Sequence, residues 1–79
     1  MIYVSVGDDV YTATDHALRR IDERTVTEGY IEATLNEPDD TQEQVNGRTR
    51  YEKWFDDRAK WLIVIADDAI RTIWTVFWK

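Results

Sequence analysis

The segment from position 61 to position 66, Trp-Leu-Ile-Val-Ile-Ala, is apolar at every position. Successive side chains of a β-strand point to opposite faces, so an apolar run without polar alternation indicates a strand covered on both faces. This segment therefore predicts the central strand of a sheet. It also requires the rest of the chain to supply cover for two faces.

The strands expected beside this segment are marked by turn residues. Asn46-Gly47 is a strong hairpin signal between a strand over 42–45 and a strand over 48–55, because both turn positions favour positive φ. In the second of these strands Tyr51 and Phe55 fall on one face, and Arg50 and Trp54 on the other. A last strand is expected from Ile70 to Phe77, with Ile73 and Phe77 on one face and Ile70, Trp74, Val76 and Trp78 on the other.

Two short helices are expected in the first half of the chain. Thr14 is a favourable N-cap for an apolar stripe that continues to about Arg24, and Thr27 is a second cap. The second helix ends before Pro38, because the residue preceding a proline avoids helical geometry. Before these helices, positions 2–6 alternate as a short strand, and 10–11 indicate a second edge piece.

These elements predict an α+β domain spanning 1–79. We expect two N-terminal helices packed on one face of a four-stranded antiparallel sheet, with or without a short extra N-terminal strand. Because ten aromatic residues are available among 79, a chain this short can still build a dense core. Two helices cover only one face, so the second face calls for the N-terminal segment, a second copy in a homodimer, or another partner.

Charge limits the function classes. The net charge is −6, but residues 1–47 carry −8 and residues 48–79 carry +2, so a local basic site is compatible with the acidic total. The chain has no cysteine and a single histidine, and its glycines are isolated, so thiolate chemistry, a multi-histidine metal site and a phosphate-binding glycine loop are excluded. No metal or cofactor is expected. Asp-Asp pairs at turns and a low lysine content are also typical of adaptation to high salt.

The first helix carries the most specific polar pattern. His16, Arg20 and Arg24 recur every four residues, about 40° apart on a helical wheel, beside the apolar stripe. Arginine and histidine in such a row can bind an anion, and histidine can act as acid or base near neutral pH. The alternative is structural: the arginine stems cover apolar residues and their charges pair with carboxylates across the seam.

A second basic group follows in the sheet. Aromatic side chains interleaved with cations are typical of surfaces that grip single-stranded RNA. A solvated edge strand whose charges deter edge pairing is the alternative. The candidate RNA-binding residues are Arg48, Arg50, Tyr51, Arg58 and Lys60, with Lys53 between them.

Several of these residues recur in a known family pattern. The run Thr14-x-His16-Ala17-x-x-Arg20-Ile21-x-Glu23-Arg24-x-Val26 resembles the opening of domain-of-unknown-function family 4258. The likeness spans about residues 11–78, although Thr25 stands where the family usually has glycine. It continues through Asn36-x-Pro38, Asn46-Gly47-Arg48-x-Arg50-Tyr51-x-Lys53 and Thr72-Ile73-x-Thr75-Val76.

This family is similar to small toxins of the RelE/ParE and BrnT type. The resemblance implies metal-free RNA cleavage, which needs an acid, a base and cations for the phosphate. It implies His16 as acid or base, with Arg20, Arg24 and Lys53 stabilising charge and Arg50 or Tyr51 positioning RNA.

Two functions are therefore expected from the sequence. The first is a toxin-like, metal-independent endoribonuclease with RNA as substrate and a cognate antitoxin as partner. The second is a noncatalytic acidic module, antitoxin-like or a phage-type inhibitor, that occupies a basic partner. Without a long apolar segment or a signal-like N-terminus, a cytoplasmic location and no membrane partner are expected.

Overall fold

The computed structural model describes residues 2–79 and shows, within them, two helices and six strands. In chain order these are β1 (Tyr3–Val6), β2 (Asp9–Ala13), α1 (Asp15–Glu23), α2 (Glu28–Asn36), β3 (Asp40–Glu43), β4 (Thr49–Phe55), β5 (Lys60–Asp67) and β6 (Thr72–Trp78). The chain is α+β, with strands on both sides of the helical segment.

The strands form one mixed sheet with the order β1-β2-β6-β5-β4-β3. Every neighbouring pair is antiparallel except β2 and β6, which run parallel where Thr12 lies opposite Thr72 and Ala13 opposite Ile73. The predicted four-stranded antiparallel sheet preceded by two helices is therefore wrong. β2 enters the sheet beside the last strand of the chain, a long-range pairing that leaves no signal in local sequence.

The N-terminal residues form a hairpin within this sheet. Gly7 lies at φ 60, which lets β1 turn directly into β2. Val4 on β1 is fully buried and pairs with Tyr11 on β2. The N-terminal segment thus extends the sheet and does not cover its second face.

Both helices begin where their capping residues predict. The hydroxyl oxygens of Thr14 and Thr27 accept hydrogen bonds from the amides of Ala17 and Tyr30, at 3.1 Å and 3.4 Å. α1 ends with Thr25 at φ 54, and the amide of the next residue, Val26, donates to the carbonyl oxygen of Ile21, three residues before the C-cap. This is a Schellman ending, whose left-handed position favours glycine.

The two helices pack on one face of the sheet. α1 lies against β6 and β2, and α2 lies against β1, β4 and β5. The fully buried side chains between these layers include Ala17 and Ile31 from the helices and Leu62, Val64 and Val76 from the central strands. Their burial is the main stabilising contribution to a domain of this size.

Beyond the end of β2, α1 takes over the free edge of β6. Thr14 donates its amide hydrogen to the carbonyl oxygen of Ile73 at 3.1 Å and its hydroxyl hydrogen to that of Trp74 at 3.4 Å. At the residue that directly follows α1, the indole of Trp78 donates to the carbonyl oxygen of Arg24 at 3.1 Å. The main-chain groups of β6 that β2 leaves unpaired are therefore bonded by residues at the ends of α1 instead of by another strand.

A bulge in β6 alters the predicted alternation of that strand. Ile65 pairs with Thr75, but the next residue, Ala66, pairs with Ile73, so Trp74 is the extra residue. Ile73 consequently joins Val76 in the core, and Trp74 lies on the other face, where Arg48 stacks on it. The predicted grouping of Ile73 with Phe77, and of Trp74 with Val76, is therefore wrong.

The predicted hairpin turn is also longer than expected. The strand before it ends at Glu43, and the amide of Gln44 bonds to the carbonyl oxygen of Arg48 at 2.7 Å. Only Gly47, at φ 80, takes a positive φ in this loop. The expectation that both Asn46 and Gly47 adopt positive φ is wrong, because a loop of this length needs one left-handed residue.

Candidate functional site

The face of the sheet opposite the helices has no covering element within residues 2–79, and we call it the open face. On its central strands β4, β5 and β6, most of the side chains are aromatic, aliphatic or arginine. The members, assigned from strand register and side-chain contacts, are Arg50, Glu52, Trp54, Trp61, Ile63, Ile65, Asp67, Trp74, Thr75 and Phe77, together with Arg48 at the start of β4.

Two arginines lie across the aromatic rings of this face. The guanidinium carbon of Arg48 is 4.1 Å from the ring centre of Trp74, and that of Arg50 is 5.8 Å from the ring centre of Phe77. Arg48 is therefore a close cation–π contact, whereas Arg50 is at the limit of such contacts. Both guanidinium groups lie near aromatic rings, and both arginines are half-buried.

On its central strands the open face has one exposed tryptophan, and its other large apolar side chains are half-buried or buried. Trp54 is 40% exposed and packs edge-on against Trp61, with ring centres 5.6 Å apart. Ile63 is fully buried although it lies outside the core between sheet and helices, so its larger neighbours cover it. The result is a continuous apolar layer without an element above it.

Hydrogen bonding is incomplete on the same face. Among the described residues, the buried side-chain polar atoms without a hydrogen-bond partner are Nε of Arg50 and Nε1 of Trp74. Nε of Arg50 lies 3.5 Å from a carboxylate oxygen of Glu52, which is an ion pair but a poor hydrogen bond. Buried polar groups are usually paired, so this face contains the least satisfied polar groups of the described chain.

The predicted catalytic row on α1 does not converge on a pocket. Arg24 points at the edge of the sheet, where its Nη1 donates to the carbonyl oxygen of Val76 at 2.8 Å. Arg20 pairs with Glu23, one turn along the same helix, at 2.7 Å. His16 is exposed, and no hydrogen bond or ion pair is found for it among residues 2–79.

Lys53 and Tyr51 lie on the helix-covered side of β4. Nζ of Lys53 donates to the carbonyl oxygen of Glu37, at the end of α2, at 2.9 Å. The hydroxyl of Tyr51 donates to Oδ1 of Asp68 at 2.6 Å, and that of Tyr11 donates to the same oxygen at the same distance. These side chains therefore connect elements of the fold and are turned away from the open face.

The pKa values of the two tyrosines that donate to Asp68 are raised. Burial, followed by the hydrogen bond and charge of Asp68, raises the pKa of Tyr11 to about 12 and raises the pKa of Tyr51 still further above its usual range. Burial alone would raise the pKa of Asp68, but the hydrogen bonds from Tyr11, Tyr51 and Thr49 outweigh it and lower that pKa. The cluster joins β2, β4 and the end of β5.

Arg58 and Lys60 are not part of a common surface with Arg48 and Arg50. The guanidinium carbon of Arg58 lies 5.6 Å and 5.4 Å from the ring centres of Tyr30 and Trp78, and its Nη2 donates to the carbonyl oxygen of Thr25. Lys60 is exposed at the start of β5 and pairs in register with Phe55, on the helix-covered side.

Of the nine predicted site residues, the structure brings Arg48 and Arg50 together on the open face, while Arg24 and Arg58 both contact Trp78 near the end of α1. Sequence reasoning did not assign Trp54, Trp74 or Phe77 to a site. Trp54 could have been found from its alternation with Arg50 along β4. Trp74 could not, because the bulge that turns it to the open face depends on the pairing of β5 with β6.

A cleft of about 530 Å³ lies on the opposite side of the molecule, between α2 and the β1–β2 turn. Its lining is acidic and without basic residues: Ser5, Gly7, Gly29, Glu32, Ala33, Asn36 and Glu37. Asn36 joins the two walls, since its side-chain amide donates to the carbonyl oxygen of Ser5 and its oxygen accepts from the amide of Gly7.

Within residues 2–79 no group of three or more histidines and carboxylates is arranged to hold a metal ion. In the same part of the chain, neither helix has the length and apolar character needed to cross a membrane.

No protein-family model, no curated protein and no solved structure matches this chain. The resemblance to domain-of-unknown-function family 4258 and to RelE/ParE and BrnT-type toxins therefore stays a prediction. The function has to be argued from the geometry.

Proposed function

We propose that this chain is a noncatalytic protein-binding module whose open face receives a protein. The observation that carries the proposal is that three of the four tryptophans, Trp54, Trp61 and Trp74, lie on the uncovered face of the sheet. Tryptophan and arginine are the residue types that dominate binding energy at protein interfaces, and here they lie side by side.

The arrangement of the arginines supports a protein partner over RNA. Arg50 is paired with Glu52, so among the described residues of this face Arg48 alone is a cation without a carboxylate partner, which is fewer than the run of cations that binds a nucleic-acid backbone. The chain carries a net charge of −6, and this field opposes the approach of a polyanion. Because these arginine side chains already contact aromatic rings, they lose little conformational entropy when a protein covers the face.

The arrangement of α1 supports a noncatalytic role. General acid–base catalysis on RNA needs a titrating group and cations within reach of one phosphate. Arg24 is directed to the carbonyl oxygen of Val76, and Lys53 to that of Glu37, so both cations are already used in the fold. His16 is exposed and Arg20 is paired with Glu23, and neither lines the cleft beside α2 or the smaller cleft at Arg48.

The proposal is tested by peptide display on the immobilised chain. We expect enrichment of peptides with aromatic or aliphatic side chains, and loss of their binding in Trp54→Ser. The matched control is Val45→Ser, which removes a fully exposed apolar side chain from the loop before β4. Absence of enriched peptides, or equal binding to wild type and Trp54→Ser, would contradict the proposal.

A nuclease assay tests the competing function, which is cleavage of RNA. Labelled single-stranded RNA is incubated with the chain, with and without EDTA, and we expect it to stay intact. Cleavage that persists in EDTA and disappears in His16→Ala and Arg20→Ala would replace the binding module by a metal-independent endoribonuclease.

The acidic cleft favours a second candidate function, the occupation of a basic partner. Glu32 and Glu37 line this cleft and no basic residue does, although Nζ of Lys53 bonds to the main-chain carbonyl oxygen of Glu37 from the neighbouring strand. The test is fluorescence anisotropy with a labelled lysine- and arginine-rich peptide. Binding that weakens with salt and in the Glu32→Gln, Glu37→Gln double variant supports this candidate, and unchanged binding in that variant excludes it.

A further inference from the structure

We propose that the protein received by the open face is a second copy of this chain, so that two sheets pack face to face in a homodimer. This inference rests on the proposed function and names its partner. The N-terminal hairpin does not cover the face, because residues 3–13 are strands within the same sheet.

The charges of the open face favour a second copy. Its strands and the start of β4 carry two cations, Arg48 and Arg50, and three anions, Glu52, Asp67 and, on β3, Asp40, so this surface is nearly balanced although the chain carries −6. Two copies that met through an acidic surface, such as the cleft beside α2, would bring like charges together. Pairing through the open face keeps these acidic surfaces apart.

A two-fold axis makes such a balanced surface self-complementary. In an isologous interface the same patch is used twice, so each arginine of one copy can face an acid of the other. Arg48 has no carboxylate partner within its own chain in the described residues, whereas Arg50 already shares Glu52. Arg48 is therefore the cation that gains most from an acid on a second copy.

The size of the face agrees with this assignment. The molecule measures 31 × 25 × 25 Å, so a face of roughly 25 by 25 Å on each copy would bury about 1,200 Å² in total, the lower end of specific interfaces. Sheets that pack face to face interdigitate alternate side chains from their inner faces, which is the layer that Trp54, Trp61 and Phe77 provide.

Sedimentation equilibrium over a concentration series tests the homodimer. We expect the wild-type chain to approach twice the monomer mass, and Trp54→Ser to weaken self-association at least about tenfold, as the loss of a tryptophan does at other interfaces. Val45→Ser is the matched control and should associate like wild type. Circular dichroism verifies that each variant keeps the fold.

A charge-exchange pair makes the test independent of the tryptophan. Arg48→Glu leaves an excess of acid on the face and Glu52→Lys leaves an excess of base, so each variant alone should be mainly monomeric. An equal mixture should recover the dimer mass, because the two faces then carry opposite charge.

A wild-type chain that stays monomeric across the series, or a dimer that neither Trp54→Ser nor Arg48→Glu weakens, would overturn the homodimer. If the monomeric chain still binds selected peptides through Trp54, the proposed function stands and this inference alone fails. If it neither associates nor selects peptides, both fail.

Discussion

Arg24 donates a hydrogen bond from Nη1 to the carbonyl oxygen of Val76 at 2.8 Å, and thereby closes the edge of β6 that β2 leaves unpaired. Arg24 belongs to the row on α1 that the sequence assigns to phosphate chemistry. In the structure its guanidinium satisfies a main-chain carbonyl instead. This hydrogen bond gives Arg24 a role in folding, where the sequence predicts a role in catalysis.

Arg24→Gln should therefore destabilise the fold. Loss of a hydrogen bond from a charged donor to a partly buried carbonyl should lower the free energy of unfolding by about 1 to 3 kcal/mol. Urea denaturation measures the change. His16→Ala on the same helix is the control, and since His16 is exposed and unpaired it should change stability by less than about 0.5 kcal/mol. Equal effects of the two substitutions would contradict the account of α1.

In the Asp68→Asn variant, stability should fall less steeply as the pH is lowered. The folded-state pKa of Asp68 lies below its ordinary value of 3.8, so its contribution is present above that value and is lost as pH falls through the lower folded-state pKa. Denaturation midpoints measured from neutral pH to below pH 3 should fall less steeply in Asp68→Asn than in wild type. An unchanged slope would show that the tyrosine hydrogen bonds do not favour the ionised carboxylate.

The same cluster predicts an effect at high pH. The folded-state pKa of Tyr11 is raised from 10.0 to about 12, so its contribution is complete below pH 10 and is lost as pH rises toward 12. Tyrosinate absorbance should show late titration in wild type and earlier titration in Asp68→Asn, where the negative charge is removed but burial remains. Asp22→Asn, at an exposed position on α1, should titrate like wild type.

Thr25→Gly should stabilise the chain. Thr25 ends α1 at φ 54, and a β-branched residue is strained in this left-handed region. Relief of that strain, offset in part by the greater freedom of glycine when unfolded, should raise the unfolding free energy by about 0.5 to 1 kcal/mol. Thr27→Gly, at a cap with φ −95, should instead lower it by a few tenths. A loss of stability in Thr25→Gly would contradict the Schellman ending.

Local features of this fold could be predicted from the sequence. Thr14 and Thr27 both cap helices, because a hydroxyl before an apolar stripe satisfies free amides without help from distant residues. The alternation of Arg50 with Tyr51 along β4 also holds, and it places these two predicted RNA-binding residues on opposite faces.

Features that depend on pairing between distant residues could not be predicted from the sequence. The parallel contact of β2 with β6 joins residues about sixty positions apart, and the bulge at Trp74 exists only because β5 and β6 shift register. A helical wheel places His16, Arg20 and Arg24 on one stripe but does not say what faces it. Here the sheet edge receives Arg24, and Glu23 holds Arg20.

The four indole N–H groups offer the most direct measurement of the central claim, that two copies of this chain meet through the open face. Trp54, Trp61 and Trp74 lie on that face, whereas the indole of Trp78 is bonded to Arg24 on the helix side and serves as an internal control. In ¹H–¹⁵N spectra recorded from dilute to concentrated protein, we predict that the first three indole signals move and that the Trp78 signal stays in place. Signals that all remain fixed, or that move only for Trp78 and the residues of α1, would contradict the account.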